Sequence, residues 1–270
     1  MRAETSGGLE SDGAAFHKLG SPAGIATEIA GLAWLGDVSG GVPVVEVINH
    51  GREWLMTRRL RHGDPTPDDA AVFGSRLART HAAGASHWGA PPPGLHELDS
   101  RLSELPAPVS LRPRWRTWSE FYAEARLRPY LRLAEVPREA RKVLDRAIDQ
   151  VATGRFESPQ PALVTGVARI HGDLWDGNIV WAARNAGAAG TFIDPSAHGG
   201  HAETDLAELI LLGAPHLEAI LDGYQQVSPL ADGWKDRLAV HQLHMVLVHA
   251  ALFSGSYLQQ ALGLARRIIR

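Results

Sequence analysis

The chain of 270 residues contains no cysteine, which excludes disulfides and thiolate nucleophiles and leaves any zinc site to His and carboxylates alone. It also lacks an excess of charge of one sign. With 27 basic and 30 acidic side chains the formal net charge is −3, so there is no general basic surface of the kind that grips nucleic acid or anionic membrane. No apolar run is long enough to span a bilayer, and the opening Met1-Arg-Ala-Glu-Thr-Ser-Gly-Gly8 lacks the apolar stretch of a signal peptide. The expectation is a soluble, cytoplasmic protein with neither a nucleic-acid nor a membrane partner. What remains is 44% hydrophobic and 21% charged, an ordinary globular composition with material for one large domain or two small ones.

The apolar pattern changes character along the chain. Ala14–Leu19 is a short apolar-rich run between Gly13 and Gly20, predicted as a strand. Ser21-Pro22 supplies an N-cap and a first-position proline for a helix with Ile25, Ile29 and Leu32 on its apolar face. After a Gly-rich break from Gly36 to Pro43 come two predicted strands, Val44–Ile48 and Trp54–Met56, joined across Asn49-His50-Gly51. From Gly63 onward the pattern is mostly helical. Thr66-Pro67-Asp68-Asp69 combines a cap, a proline and dipole-matched acids, and Phe73, Leu77 and His81 follow at four-residue spacing. Further helices are predicted over Trp118–Leu127, Arg138–Val151, Glu203–Leu212, His216–Gln226 and from Asp236 to near the C-terminus. Ala168–Ile170, Ile179–Ala182 and Thr191–Ile193 form a sheet-like island among them. The expected fold class is α+β with two lobes, a small sheet-rich one over residues 1–60 and a large helical one over 61–270, joined near Arg59–Gly63.

The strongest chemical signal is His171-Gly-Asp-Leu-Trp-Asp-Gly-Asn178, followed by Phe192-Ile-Asp-Pro195. Mg²⁺ takes oxygen ligands, commonly one or two carboxylates or amides completed by water and phosphates, and Asn178 and Asp194 supply such a pair. Asp173 is then free to orient an attacking hydroxyl and take its proton. An Asp, an Asn five residues on, and a later Asp are the order of the protein-kinase catalytic loop and its metal ligand. That chemistry also needs a cation for the α/β-phosphates, positioned by a helix glutamate. Lys18, on the first predicted strand, and Glu28, on the next helix, take those places. Alone, a loop Asp is ordinarily a turn former and a helix Glu a solvated charge; it is the ordered set that points to ATP chemistry.

His171-Gly-Asp-Leu-Trp-x-Gly-Asn178 and Ile193-Asp-Pro195, with His198-Gly-Gly-His-x-Glu-x-Asp205, resemble the fructosamine (ketosamine) kinase family, particularly its bacterial members. That family lies within the aminoglycoside and choline kinase group of the protein-kinase-like fold. The resemblance extends to Val42-Pro43, Ala82-Ala-Gly-Ala85, Trp118-x-Glu-Phe-Tyr122, Arg126-Leu127 and His241-Gln-Leu-His244, covering residues 14 to 270. It implies Asp173 as catalytic base, Asn178 and Asp194 as Mg²⁺ ligands, and Lys18 with Glu28 as the phosphate clamp. Thr57, Arg58 and Arg59 match the hinge that meets adenine through backbone groups, with Thr57 where the family often has Glu. Trp175 would face the sugar of the substrate, although a purely packing role buries the ring equally well. The implied activity is ATP- and Mg²⁺-dependent phosphorylation of the 3-hydroxyl of a ketosamine, such as a fructosamine or ribulosamine adduct, which then releases its amine. Alternatives within the same fold are kinases of aminoglycosides, choline or amino alcohols, and a catalytically silent nucleotide-binding homologue. Trp175 and the run after Asp194 favour the ketosamine reading.

The chain departs from the family at its start. Family members carry a further strand and a Gly-rich phosphate turn upstream of the Lys strand, whereas seventeen residues precede Lys18. Ala3–Ser6 matches the second strand, Gly7-Gly8 follows that strand rather than preceding it, and no place is left for the first strand and turn. The ten-residue spacing from Lys18 to Glu28 is also short for the family. The expectation is either an internal start codon or a cut-down small lobe with weakened ATP affinity. His198, His201, His241, His244 and His249 crowd the C-terminal third, and without Cys or an H-E-x-x-H pattern they are expected as hydrogen-bonded structural groups. Asp205 is expected to tie the catalytic loop to the large lobe, and Arg266, Arg267 and Arg270 to be a solvated helix end.

Overall fold

The computed structural model describes residues 15–184, 187–253 and 255–270; Ala3–Ser6 and Gly7-Gly8, assigned above to a strand remnant and a glycine pair, lie outside the described residues. Strand β1 (Ala15–Leu19) leads into α1 (Pro22–Gly36), where the Ser21 hydroxyl accepts the N–H of Gly24 at 3.2 Å and Ile25, Leu32 and Leu35 are buried. Strands β2 (Val47–His50) and β3 (Trp54–Arg58) complete an antiparallel sheet of order β1-β3-β2, with Lys18 opposite Leu55. The predicted strand Val44–Ile48 divides between two partners. Val45 donates its N–H to Phe192 O at 3.0 Å and Pro43 O accepts the N–H of Phe192 at 2.8 Å, while pairing with β3 begins only at Val47. The turn shifts accordingly, with the Gly51 N–H on Trp54 O at 2.9 Å.

The connection between the lobes is hydrogen-bonded to the same hairpin, the one that contains Phe192. Gly63 donates to Trp181 O at 2.8 Å, and Arg61 O accepts from Ala183 at 2.7 Å. Helix α2 (Pro67–Ala82) then opens in a capping box, the Thr66 hydroxyl accepting from Asp69 N–H and the Asp69 carboxylate from Thr66 N–H. A short strand pair, β4 (Arg101–Leu102) and β5 (Leu105–Pro106), packs its first strand against α1. The predicted helix Trp118–Leu127 is not uniformly α. It starts as α3 (Trp118–Phe121), widens to a π-helix over Tyr122–Leu127 and resumes as α4 (Arg128–Leu133). Pro129 has no N–H to give the carbonyl of Ala125, which instead accepts from Arg126 Nη1 at 3.0 Å.

Helix α5 (Arg138–Ala152) precedes the island of strands: β6 (Ala168–Ile170), β7 (Ile179–Ala183), β8 (Ala188–Phe192) and β9 (His198–Gly200). These pair antiparallel as β6 with β9 and β7 with β8. Strand β8 lies earlier than the predicted Thr191–Ile193 because Ile193 has already left the ladder toward Asp194. The His198–Gly200 strand carries no β-propensity signal and was not expected. Helices α6 (Ala202–Leu212), α7 (Leu217–Val227), α8 (Trp234–Phe253) and α9 (Ser256–Ile269) follow; the last two were expected as one, and Gly255 at φ +75° stands in the break. One hydrophobic cluster joins α3–α5 to α8 and α9 through Trp118, Leu144, Ile148 and Leu247; a second joins α1, α2 and α7 to the β7–β8 hairpin through Leu35, Phe73, Phe192 and Tyr224. Among the described residues no helix is long and apolar enough to cross a membrane.

Candidate active site

Strand β6 delivers His171 to a loop whose backbone donors are held from α6. The two oxygens of Asp205 accept the N–H groups of His171 (2.8 Å) and Gly172 (2.9 Å), and Glu208, one turn further along, accepts that of Leu174 at 2.8 Å. Asp205 is fully buried and also bonded to His81 Nε2 at 3.1 Å, while His81 Nδ1 meets the Tyr224 hydroxyl at 3.0 Å. Burial works to raise the Asp205 pKa, but the hydrogen bond and charge of His81 outweigh it and hold the group below the usual carboxylate range. Gly172 sits at φ +78° with its open side against the Ser196 carbonyl oxygen, so no side chain fits there.

This backbone leads into Asp173, which Asn178 holds. Asn178 Nδ2 donates to the Asp173 carbonyl at 2.8 Å and to its Oδ2 at 2.9 Å, which turns the amide oxygen of Asn178 away as an acceptor. Burial pushes Asp173 up to about 7, against the Asn178 hydrogen bond and with help from the charges of Asp194 and Asp205. Ile193 N–H donates to Asn178 O at 3.1 Å, and the next residue, Asp194, has φ +52°. That left-handed turn aims its carboxylate at Lys18, whose Nζ lies 2.5 Å from Asp194 Oδ1 and 2.8 Å from Glu28 Oε2. Burial alone would lower Lys18; the two carboxylates outweigh it and hold the ammonium above its ordinary value. Asp194 stays below the usual carboxylate range, because Glu28 and Lys18 overcome its burial, while Glu28 is pushed up to about 8 by burial and by the charge of Asp194.

Lys18, Glu28, Thr57, Leu60, Val180 and Asp194 line a cleft of about 690 Å³. Thr57 lies within the sheet register, opposite Phe16 and Val47, and Arg58 N–H is engaged by Glu46 O at 2.8 Å. Arg59 reaches Ala15 O with Nε at 3.2 Å. Trp175 is 40% exposed, its ring lying over Gly177. The structure thus joins Lys18, Glu28 and Asp194 directly, sets Asp173 and Asn178 beside them, and leaves Trp175 accessible on the same loop.

Two features escaped sequence reasoning. Glu208 interrupts the apolar run Leu206–Ile210, a signal in itself, since a buried carboxyl there needs a partner. Arg126, also buried, donates through Nη1 to Pro108 O at 2.7 Å and through Nε to His198 Nε2 at 3.3 Å. His201, Glu203 and His241 bring ligand atoms within 4.8 Å of one another. Positive charge there comes from Arg237, which pairs with both oxygens of Glu203, and His201 Nδ1 accepts the Glu203 N–H at 3.2 Å.

The sequence profile of the family described as "Fructosamine kinase" matches residues 19–270. "Probable ketoamine kinase YniA" of Escherichia coli K12 is 36% identical over 226 residues, 80% of this chain and 70% of that protein. In three dimensions the chain is similar to a "putative fructosamine-3-kinase" from Thermobifida fusca, with a TM-score of 0.82 and 36% identity over 96% of this chain and 87% of the other. The aminoglycoside phosphotransferase APH(4)-Ia superposes with a TM-score of 0.60 at 15% identity over 90% of this chain and 82% of that one, a likeness of fold alone. The two-lobe α+β, protein-kinase-like architecture expected from the sequence is the one found.

Proposed function

Because the chain belongs to the fructosamine kinase family, we propose that it transfers the γ-phosphoryl group of ATP, with Mg²⁺, to the 3-hydroxyl of a ketosamine in the cytoplasm. The observation that carries this reading is the placement of Lys18 between Glu28 and Asp194, beside the Asp173–Asn178 pair. Residues 1–60 then act as the nucleotide-side lobe and 61–270 carry the catalytic loop and acceptor side.

The donor set suits a hard cation. An ionised carboxylate on Asp194 and an amide oxygen on Asn178, freed by the commitment of Nδ2 to Asp173, are the oxygen ligands that Mg²⁺ accepts. Bound there, Mg²⁺ would supply charge stabilisation to the phosphates. Lys18 binds the α/β-phosphates, and Glu28 orients it. Asp173, raised to about 7, holds the acceptor hydroxyl and takes its proton as the oxygen bonds to the γ-phosphorus and the bond from that phosphorus to the bridging oxygen breaks, releasing ADP. Trp175 offers its exposed ring to the C–H face of the sugar. The phosphorylated adduct is then unstable and releases its amine, which makes the reaction a deglycation.

The test is Mg²⁺-dependent ADP release over a panel of ketosamines, comparing the wild type with Asp173→Asn. Turnover is expected only with a ketosamine and is expected to fall by about 10²–10⁴-fold in the variant, the usual worth of a general base. Near-normal turnover in Asp173→Asn would overturn the role of Asp173, and silence across the panel would overturn the substrate class.

A further inference from the structure

Helix α1, which carries Glu28, is fastened to the large lobe at three levels. Thr27 Oγ1 donates to Asp99 O at 2.8 Å and accepts the N–H of Arg101 at 3.1 Å. Gly31 lies so close to Pro195 that a Cβ there would stand 2.8 Å from the ring. At the third level Trp34 O accepts Nη1 of Arg169 at 2.7 Å.

Arg169 stands on β6, two residues before His171, and the sequence gives no hint of a role for it. Its Nε donates to Gly84 O at 3.1 Å, and the guanidinium lies 4.5 Å from the centre of the Trp34 ring. Trp34 belongs to the last turn of α1, and Gly84 lies just past the end of α2. One guanidinium therefore closes the carbonyl ends of two helices, where a cation is favoured. Among the described residues it makes no ion pair within 4 Å, and burial lowers its pKa against the opposing charge of Asp37. It forms part of the wall of a cavity of about 600 Å³ with Trp34, Ala83, Thr165 and Val167. A planar donor fork laid on an indole and aimed at two carbonyls is a geometry that lysine cannot reproduce.

We propose that Arg169 is a positioning residue that tethers α1 to the catalytic strand and thereby fixes Glu28 against Lys18. The inference rests on the kinase reading above, since the Lys–Glu pair acts only when its helix is in place. The tether is sensitive to sliding. A shift of α1 along its axis by one residue, about 1.5 Å, would carry the Trp34 carbonyl out of hydrogen-bond range of Arg169. With Thr27 and Gly31 held as well, α1 belongs mechanically to the large lobe, and the clamp is set by the body that carries Asp173.

Calorimetric titration with Mg·ATP, on wild type, Arg169→Met, Arg169→Lys, Glu28→Ala and the Arg169→Met/Glu28→Ala double variant, tests this. Arg169→Met is expected to weaken Mg·ATP about ten-fold and Arg169→Lys less; in the Glu28→Ala background the Met substitution should add under about two-fold, because neighbours acting through one another are not additive. In nucleotide-free protein, hydrogen exchange of the α1 amides should accelerate about ten-fold in Arg169→Met, with α2 and α7 less affected. Equal losses in both backgrounds, or α1 exchange unchanged, would overturn the tether. If Arg169→Met does not fold, the Arg169→Lys/Glu28→Ala cycle supplies the same comparison. A wild type that binds no Mg·ATP would overturn the kinase reading, and α1 exchange would still decide whether Arg169 holds the helix.

Discussion

Replacing Asp205 tests how the catalytic loop is held. The carboxylate is fully buried and accepts from three donors: His171 N–H, Gly172 N–H and His81 Nε2. Asp205→Ala strands all three in a site closed to bulk water, and each unsatisfied buried donor costs about 1–3 kcal/mol. Relief of the carboxylate's own desolvation offsets part of this, so the net loss should be roughly 3–5 kcal/mol, the range for breaking a buried charged pair. Asp205→Asn keeps the shape but retains one acceptor oxygen and turns an NH₂ toward donors, so it should recover less than half of the loss. Urea unfolding followed by Trp fluorescence reads both variants directly. Below the transition, turnover of Asp205→Asn should fall far more than its affinity for Mg·ATP, since Asp205 seats the backbone of Asp173 and lies outside the nucleotide cleft. A loss of stability below about 1 kcal/mol, or unaltered turnover, would refute the part assigned to Asp205 in holding the loop.

Gly172→Ala should be at least as damaging locally, since it combines a left-handed backbone, costing about 1–3 kcal/mol for a side chain, with a collision against Ser196 O. Loss of turnover together with a lowered melting temperature is the expected result, and a variant with wild-type values for both would contradict the geometry. Acid should weaken the fold through the cluster at the start of α6. Burial, with the neighbouring His241, holds His201 down to about 3, so the folded protein resists a proton that the unfolded chain accepts below about 6.5. Glu203, held near 2 by His241 and Arg237 against its burial, stabilises the fold above the ordinary carboxylate range and ceases to as pH falls through its own folded value. Both work in the same direction, so urea midpoints should decline from pH 6.5 toward pH 3; a midpoint flat between pH 7 and 4 would exclude the His201 contribution.

The local signals that the sequence carries are those with a short-range cause. Ser21-Pro22 and the Thr66–Asp69 box start helices because the capping partners are three residues away. The spacing of Asp173, Asn178 and Asp194 is likewise visible in the chain, although the approach of Lys18 to Asp194 depends on the fold. What was illegible depends on distant partners. Val44 and Val45 have strand character, but nothing local says that they join Phe192 while Val47 joins Thr57. The π-helix arises from Pro129 and a buried Arg126 that bonds Ala125 O within it and also Pro108 O and His198 in other segments. His198-Gly-Gly200 forms a strand because β6 is beside it, and Arg169 looks like any surface arginine until both helix ends are placed.

The two segments paired with the β7–β8 hairpin have a consequence for solubility. Residues 43–45 run along the outer side of β8, and residues 61–63 along that of β7, so both flanks of the hairpin are already paired. A hairpin of Ile, Val, Trp, Thr and Phe with bare flanks would be a template for strand addition by another chain. Here the α1–β2 connection and the segment that joins the lobes act as edge guards for the strands that lead from Asn178 and toward Asp194. Gly63 belongs to this guard, with its α-carbon so near Ala183 that a Cβ would stand 3.0 Å from the Ala183 Cα. A bulky residue at position 63 would lift the guard from β7, and its first symptom should be self-association before any loss of secondary structure.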